Sequence, residues 1–209
     1  MKAALTWTGL PIGAGALLLQ FVLTLNLRLA TGDSLVGTLV FFFTFFTILT
    51  NIMLVLIYLS EVAGAGWLGW WRSPVTRAMM VGAIALVGIF NHLVLAELQD
   101  LTGLSLLADT LLHYVTPALF VLWWLLFQPK GKLHLADLPA VLLPTLIWLV
   151  WAMLRGAVIG QYPYPILDAG KLGYGAVATN CLFVFIGLVV IYLVVLALDR
   201  ALTGRMPRP

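Results

Sequence analysis

Six long apolar stretches dominate this sequence and leave little room for anything else. About 20 apolar residues, rising 1.5 Å each, form a helix that crosses the roughly 30 Å hydrocarbon core of a bilayer. The stretches occupy residues 5–27, 36–59, 75–95, 104–127, 138–159 and 174–198. The pattern predicts an all-α integral membrane protein in which six transmembrane helices form one bundle.

The composition excludes the main soluble classes of protein. Of the 209 residues, 63% are hydrophobic and 9% are charged, whereas a typical soluble domain is about half apolar and about a quarter charged. This chain lacks the polar groups to cover a water-soluble globule. A soluble enzyme, a nucleic-acid-binding domain and a disordered tail are therefore excluded. No internal repeat or linker divides the chain, so residues 1–209 are predicted to form a single domain.

The basic residues predict how the bundle is oriented. With six spans, eight of the 11 Lys and Arg residues fall at the end of the bundle that carries both termini, and three fall at the other end. Because cytoplasmic loops carry an excess of Lys and Arg, we expect both termini to lie in the cytoplasm.

A few polar residues lie at membrane depth, where polar groups are costly and usually face the bundle interior. From the assumed topology, they fall in the outer half of the bilayer on four different helices. They are Thr44, Thr47 and Asn51 in the second span, His92 in the third, Asp109 and His113 in the fourth, and Asn180 in the sixth. Such convergence predicts a polar pocket within the outer half of the bundle.

Spacing places several of these residues on common helical faces. In the second span, Thr44, Thr47 and Asn51 recur at i, i+3 and i+7, so a continuous helix would present them together. In the fourth, Asp109 and His113 are four residues apart, so the carboxylate could orient the imidazole.

Structural explanations compete with the functional ones. A threonine in a membrane helix most often bonds the carbonyl four residues back, and His92 or Asn51 could simply join two helices. The loop after the fifth span contains Tyr164 and Asp168 among Tyr-Pro steps that stiffen its backbone. This loop is either an interfacial anchor or a lid over an outer-facing pocket.

Several chemistries lack their motifs in this chain. The single cysteine, Cys181, permits no intrachain disulfide, and neither a Gly-rich phosphate loop nor His-Glu-x-x-His is present. We therefore expect no metal, cofactor or nucleic-acid partner, although His92 and His113 together could ligate a haem. A threonine hydroxyl with a histidine base on another helix would suffice for nucleophilic catalysis, with Asn51 or Asn180 stabilising the oxyanion.

Three short motifs, in chain order, resemble one family. They are FTILTN at residues 46–51, LHYVTP at 112–117 and YPYPILD at 162–168. The set is similar to the androgen-induced/androgen-dependent protein family of multi-spanning membrane proteins and to its bacterial six-span relatives. The similarity extends in span order from the second span to the sixth.

The resemblance implies an activity, a site and a location. Animal members are intramembrane threonine hydrolases that split esters of fatty acids with hydroxy fatty acids, using one threonine and one histidine. By motif, these residues are Thr47 and His113, with Thr50 as the competing nucleophile. A bacterial six-span relative implies the bacterial inner membrane.

Three functional hypotheses follow from these features. The first is an intramembrane hydrolase of lipid esters whose partner is a membrane lipid. The second is a protein that binds or transports a lipid or small amphiphile without turnover, and the third is a haem-binding redox protein. A Thr47–His113 separation of about 3–4 Å would favour catalysis. None of these features determines the oligomeric state.

Overall fold

The computed structural model describes residues 2–203, and eight α-helices form the framework of that range. Their bounds are α1 Lys2–Ala30, α2 Leu35–Phe42, α3 Phe46–Ala63, α4 Pro74–Phe90, α5 Gly103–Thr110, α6 Thr116–Phe127, α7 Leu138–Ile159 and α8 Ala169–Ala201. No strand occurs between residues 2 and 203, so the all-α prediction agrees with the structure.

Six helical segments are long and apolar enough to cross a membrane. These segments are Lys2–Ala30, Phe46–Ala63, Pro74–Leu98, Gly103–Phe127, Leu135–Ile159 and Ala169–Ala201. The predicted number of spans is therefore correct, and the bounds of α7 match the predicted 138–159. The side of the membrane on which the termini lie stays a prediction.

The second predicted span, 36–59, is interrupted. Helix α2 ends at Phe42 and α3 begins at Phe46, although neither proline nor glycine lies between them. At the break, the Thr44 hydroxyl donates to the Val40 carbonyl at 2.6 Å, and the Thr44 carbonyl accepts from Trp148 Nε1 at 2.8 Å. An indole thus replaces the lost helical donor at a fully buried residue. Thr44 therefore does not share a helical face with Thr47 and Asn51, as a continuous span had predicted.

The third and fourth spans each contain one π-helical turn. Residues Asn91–Leu95 extend α4, and Leu111–Val115 joins α5 to α6. Such turns insert an extra residue into a helix and often mark functional sites. Pro117, which lacks an amide N–H, follows the second turn by two residues. The fourth span is thus continuous but locally unwound around His113.

The core of the bundle is aromatic and aliphatic. Trp123 and Phe120 of α6 are stacked, with ring centroids 5.5 Å apart, and Tyr58 of α3 packs edge-on against both. The indole N–H of Trp123 donates to Thr6 Oγ1 of α1 at 2.9 Å. Many apolar side chains instead point outward, such as Val158 at 84% exposure, which is expected of a helix that faces lipid.

Charged and polar groups gather at one end of the bundle. Lys2 pairs with Glu61 at 2.8 Å, and Arg77 contacts both Glu61 and Gln128. Asp199 of α8 accepts from the backbone of the segment between α6 and α7. The Lys2–Glu61–Arg77–Gln128 contacts thus link the first four spans. Charged pairs also occur at the opposite end of the bundle, such as Arg28 with Asp33 and Lys171 with Asp168.

Thr6→Val should destabilise the protein. The substitution preserves shape but removes the acceptor of Trp123, whose side chain is fully buried. An unsatisfied buried donor costs about 1–3 kcal/mol. The thermal unfolding midpoint of the purified protein in detergent should fall. Thr179→Val is the matched control, because Thr179 is exposed and its hydroxyl bonds only the Gly175 carbonyl of its own helix. Equal midpoints for the two variants would contradict the role given to the Thr6–Trp123 bond.

Candidate functional site

An apolar cavity lies among α3, α4, α7 and α8, beside the π-helical turn of the fourth span. It contains about 630 Å³ of space free of protein atoms, including the space at its opening. Its wall is mostly aliphatic and aromatic, with contributions from Phe46, Leu86, Phe90, Trp148, Leu149 and Phe185. Three hydroxyl- or imidazole-bearing side chains converge on one part of that wall, namely Thr47, His113 and Tyr164.

Thr47 and His113 are in hydrogen-bond contact. Thr47 Oγ1 lies 3.2 Å from His113 Nε2, although the residues are 66 positions apart in the chain. Thr47 is the second residue of α3 and is buried, with 7% exposure. This distance falls in the range of about 3–4 Å that would favour catalysis. A hydroxyl at this distance can pass its proton to an imidazole.

Asp109 fixes the other side of the imidazole ring. Its carboxylate oxygen lies 2.8 Å from His113 Nδ1, and its backbone carbonyl lies 3.1 Å from the same nitrogen. An ionised carboxylate only accepts hydrogen bonds, so Nδ1 carries the proton in the neutral ring. The lone pair on Nε2 then faces the Thr47 hydroxyl. Thr47, His113 and Asp109 thus form a chain of contacts in the same order as the hydroxyl, imidazole and carboxylate of a catalytic triad.

Tyr164 contacts Thr47 from the loop between α7 and α8. Its hydroxyl lies 3.3 Å from Thr47 Oγ1 and accepts from the Thr47 backbone N–H at the same distance. That N–H is free to donate because it belongs to the first turn of α3. The Tyr164 ring is enclosed by Phe45, Phe90 and Trp148. A phenol with its ordinary pKa of about 10 keeps its proton at neutral pH and can donate, and burial raises the pKa of Tyr164 further.

Asn51 supports the site from one turn below Thr47. Its amide nitrogen donates to the Thr47 carbonyl at 2.8 Å and to the Leu112 carbonyl at 3.2 Å, and its amide oxygen accepts from Thr116. Leu112 belongs to the π-helical turn that carries His113. Asn51 therefore ties the backbone of the threonine to the backbone of the histidine. Its amide nitrogen is engaged in this way, so it is not free to stabilise an oxyanion in this conformation.

The remaining predicted residues do not line the cavity. His92 is exposed, and its ring packs edge-on against Tyr114, whereas His113 lines the cavity and contacts Thr47. Asn180 donates to the Ile166 carbonyl at 2.9 Å, which anchors the loop that carries Tyr164. Asp168 caps the start of α8 by accepting from the Lys171 N–H. Thr50 bonds the Phe46 and Thr47 carbonyls.

Two residues that sequence reasoning missed position the site. Thr116 holds Asn51, as described above. Gly88 of α4 faces the His113 backbone carbonyl, and a Cβ atom at Gly88 would lie 2.9 Å from that oxygen. Pro117 lacks the N–H that would bond this carbonyl in a regular helix. The sequence signal for this contact was a glycine in the third span, Gly88, and a proline in the fourth, Pro117, because both residue types permit irregular or closely packed backbone.

No protein-family model, curated protein or solved structure matches this chain. The resemblance to the androgen-induced/androgen-dependent family therefore rests on the three motifs alone.

Gly88→Ala should disturb the site without altering any group that lines it. The new Cβ meets backbone rather than a flexible side chain, so the turn that carries His113 must move. Overpacking of this kind costs about 1–3 kcal/mol, and the thermal unfolding midpoint should fall. Gly82→Ala on the same helix is the control, because its Cβ would make an ordinary 3.7 Å contact with Leu188. The positioning role of Gly88 fails if both variants unfold at the wild-type temperature.

Proposed function

We propose that this protein is an intramembrane hydrolase of lipid esters, with Thr47 as nucleophile and His113 as general base. The observation that carries the proposal is the 3.2 Å contact between Thr47 Oγ1 and His113 Nε2 at the wall of an apolar cavity. The Asp109 carboxylate behind His113 supports it, because a threonine that served only to bond its own helix would need no oriented base.

The chemistry follows two half-reactions. Thr47 Oγ1 attacks the acyl carbon while its proton passes to His113 Nε2, and the tetrahedral intermediate collapses when His113 returns that proton to the leaving alcohol. The acyl group is then an ester of Thr47. Water attacks this ester with His113 again as base, and the fatty acid leaves as Thr47 recovers its proton. The Asp109 carboxylate stabilises the imidazolium that forms in each half-reaction.

Tyr164 is the best-placed donor for the oxyanion. Its hydroxyl is 3.3 Å from Thr47 Oγ1 and lines the cavity, whereas the amides of Asn51 and Asn180 donate to backbone carbonyls. A phenol that keeps its proton can donate to a developing negative charge. Donors of this type contribute most in sites that exclude water.

The cavity wall supports an acyl chain as the substrate group. Its aliphatic and aromatic residues match a hydrocarbon chain, and an ester dissolved in the bilayer could enter between helices. The esters of fatty acids with hydroxy fatty acids implied by the motif resemblance belong to this class. The proposal also includes a bacterial inner membrane, from the same resemblance, and cytoplasmic termini, which are supported by the distribution of basic residues.

The apolar wall also favours a second candidate function. A protein that binds or transports a lipid without turnover would need the same lining but no nucleophile. The two functions differ in the role of the Thr47 hydroxyl, which only the hydrolase requires to react.

Thr47→Ala should abolish labelling by a hydroxyl-directed alkyl fluorophosphonate. The probe reacts with an activated hydroxyl, and Thr47 is the hydroxyl that contacts an imidazole. Thr50→Ala is the matched control, because Thr50 is three residues away and its hydroxyl bonds two backbone carbonyls of its own helix. Labelling is measured on the purified protein by intact mass. Equal labelling of wild type and Thr47→Ala would exclude Thr47 as the nucleophile.

Tyr164→Phe should lower kcat for hydrolysis of a fatty acid ester of a hydroxy fatty acid in mixed micelles. Loss of one oxyanion donor costs about 10²–10³-fold in kcat, with little change in KM because the ring stays in place. Tyr162→Phe in the same loop is the control and should keep wild-type kcat, since Tyr162 does not line the cavity. A rise in KM at unchanged kcat would show that Tyr164 only shapes the cavity.

A further inference from the structure

A second cavity lies at the opposite end of the bundle, where the charged groups gather. It contains about 290 Å³ of space free of protein atoms, including the space at its opening, and lies between the start of α4, the segment after α6 and the end of α8. Its polar lining consists of Arg72, Arg77, Gln128 and Asp199. This polar lining contrasts with the apolar wall beside Thr47.

Two buried polar atoms of residues that line this cavity have no partner among residues 2–203. They are Gln128 Nε2 and Asp199 Oδ1, and their side chains are 2% and 1% exposed. The orientation of the Gln128 amide is set by Arg77, which can only donate and which contacts Gln128 Oε1. Asp199 Oδ2 already accepts from the Lys132 and Leu133 backbone N–H groups. A ligand that fits must therefore accept from Gln128 and donate to Asp199.

The charges around the cavity favour an anion as the ligand group that accepts from Gln128. Arg77 is paired with Glu61, which also binds Lys2. Asp199 is close enough to Lys130 for their charges to interact, and although burial lowers the pKa of the Lys130 ammonium to about 8, it is still charged at neutral pH. Arg72 is different, because within the described chain its side chain bonds only the Ala65 carbonyl, at 2.9 Å. Its other N–H donors are free for an acceptor.

The position of the cavity indicates proximity to the membrane surface. Arg72 ends the short 3₁₀ helix Gly66–Arg72, in which Trp67 is 78% and Trp70 54% exposed. Tryptophan is enriched at membrane–water interfaces, and basic pockets between spans near the interface bind anionic headgroups.

We propose that this cavity binds a phosphate group that carries a hydrogen-bond donor beside it. The phosphate accepts from Arg72 and Gln128 Nε2, and the neighbouring hydroxyl donates to Asp199 Oδ1. This is the chemistry of a phosphatidylglycerol headgroup and of free glycerol phosphate. The site does not depend on the hydrolase chemistry, because it shares no lining residue with the cavity beside Thr47.

The test is titration calorimetry on the full-length protein in detergent, with three ligands. Dioctanoyl phosphatidylglycerol should bind at least about tenfold more tightly than dioctanoyl phosphatidylcholine, because choline cannot donate a hydrogen bond to the buried carboxylate. Glycerol 3-phosphate distinguishes the source. Binding comparable to that of the lipid assigns the site to a soluble phosphate ester, and binding of phosphatidylglycerol alone assigns it to a lipid; either result supports the proposal.

Arg72→Gln should weaken binding of the preferred ligand by about tenfold or more. Arg200→Gln is the control, because it also removes one positive charge but from an exposed position next to Asp199 on α8. It should weaken binding of the same ligand by less than about fivefold. Equal effects of the two variants would mean that only the general positive charge matters, and this would overturn the proposal.

Asp199→Asn is a second test of the proposed site, which is needed if Arg72→Gln fails to fold. The asparagine keeps an oxygen for the Lys132 and Leu133 N–H groups but places a donor where the unpartnered oxygen was. The preference for phosphatidylglycerol over phosphatidylcholine should then disappear. The proposal is overturned if the preference survives, if the wild type binds both lipids equally, or if it binds none of the three ligands.

Discussion

Every backbone carbonyl and N–H inside this bundle must find a partner within the protein, because the surrounding lipid offers none. The helices satisfy this constraint wherever they are regular. Where the second span is interrupted, the Thr44 carbonyl accepts from the Trp148 indole, and about two turns later Asn51 donates to the carbonyls of Thr47 and Leu112. Side chains thus replace helical hydrogen bonds, and these same side chains connect the second, fourth and fifth spans.

The interruptions also create the candidate site. A break before Phe46 places Thr47 in the first turn of α3, so its backbone N–H can bond Tyr164. The π-helical turn Leu111–Val115 displays His113 beside it. The cost of the irregular backbone is offset by Asn51 and Trp148, which is why polar and indole groups lie at membrane depth in an otherwise apolar chain.

The sequence predicted the parts of this fold that depend on local pattern. Apolar length alone located the six spans, with α7 matched to the residue, and the i, i+4 spacing predicted the Asp109–His113 pair. It could not predict the break at residues 43–45, because the donor that replaces the lost helical hydrogen bond is the indole of Trp148, 104 positions away. Nor could depth along a span predict that His92 is exposed and outside the cavity lining, because depth says nothing about direction around the helix. The contact of Tyr164 with Thr47 spans 117 positions and has no local signature.

The apolar surroundings decide how much the proposed hydrolase depends on Asp109. If His113 takes the threonine proton as proposed, a positive charge would appear near a wall of aliphatic and aromatic side chains, which solvate it poorly. Coulombic attraction is far stronger there than in water, so the carboxylate 2.8 Å from Nδ1 stabilises the charged ring more than it would at a surface. A cluster such as Arg72 and Arg77 beside His113 would repel that charge, and both arginines line the other cavity instead.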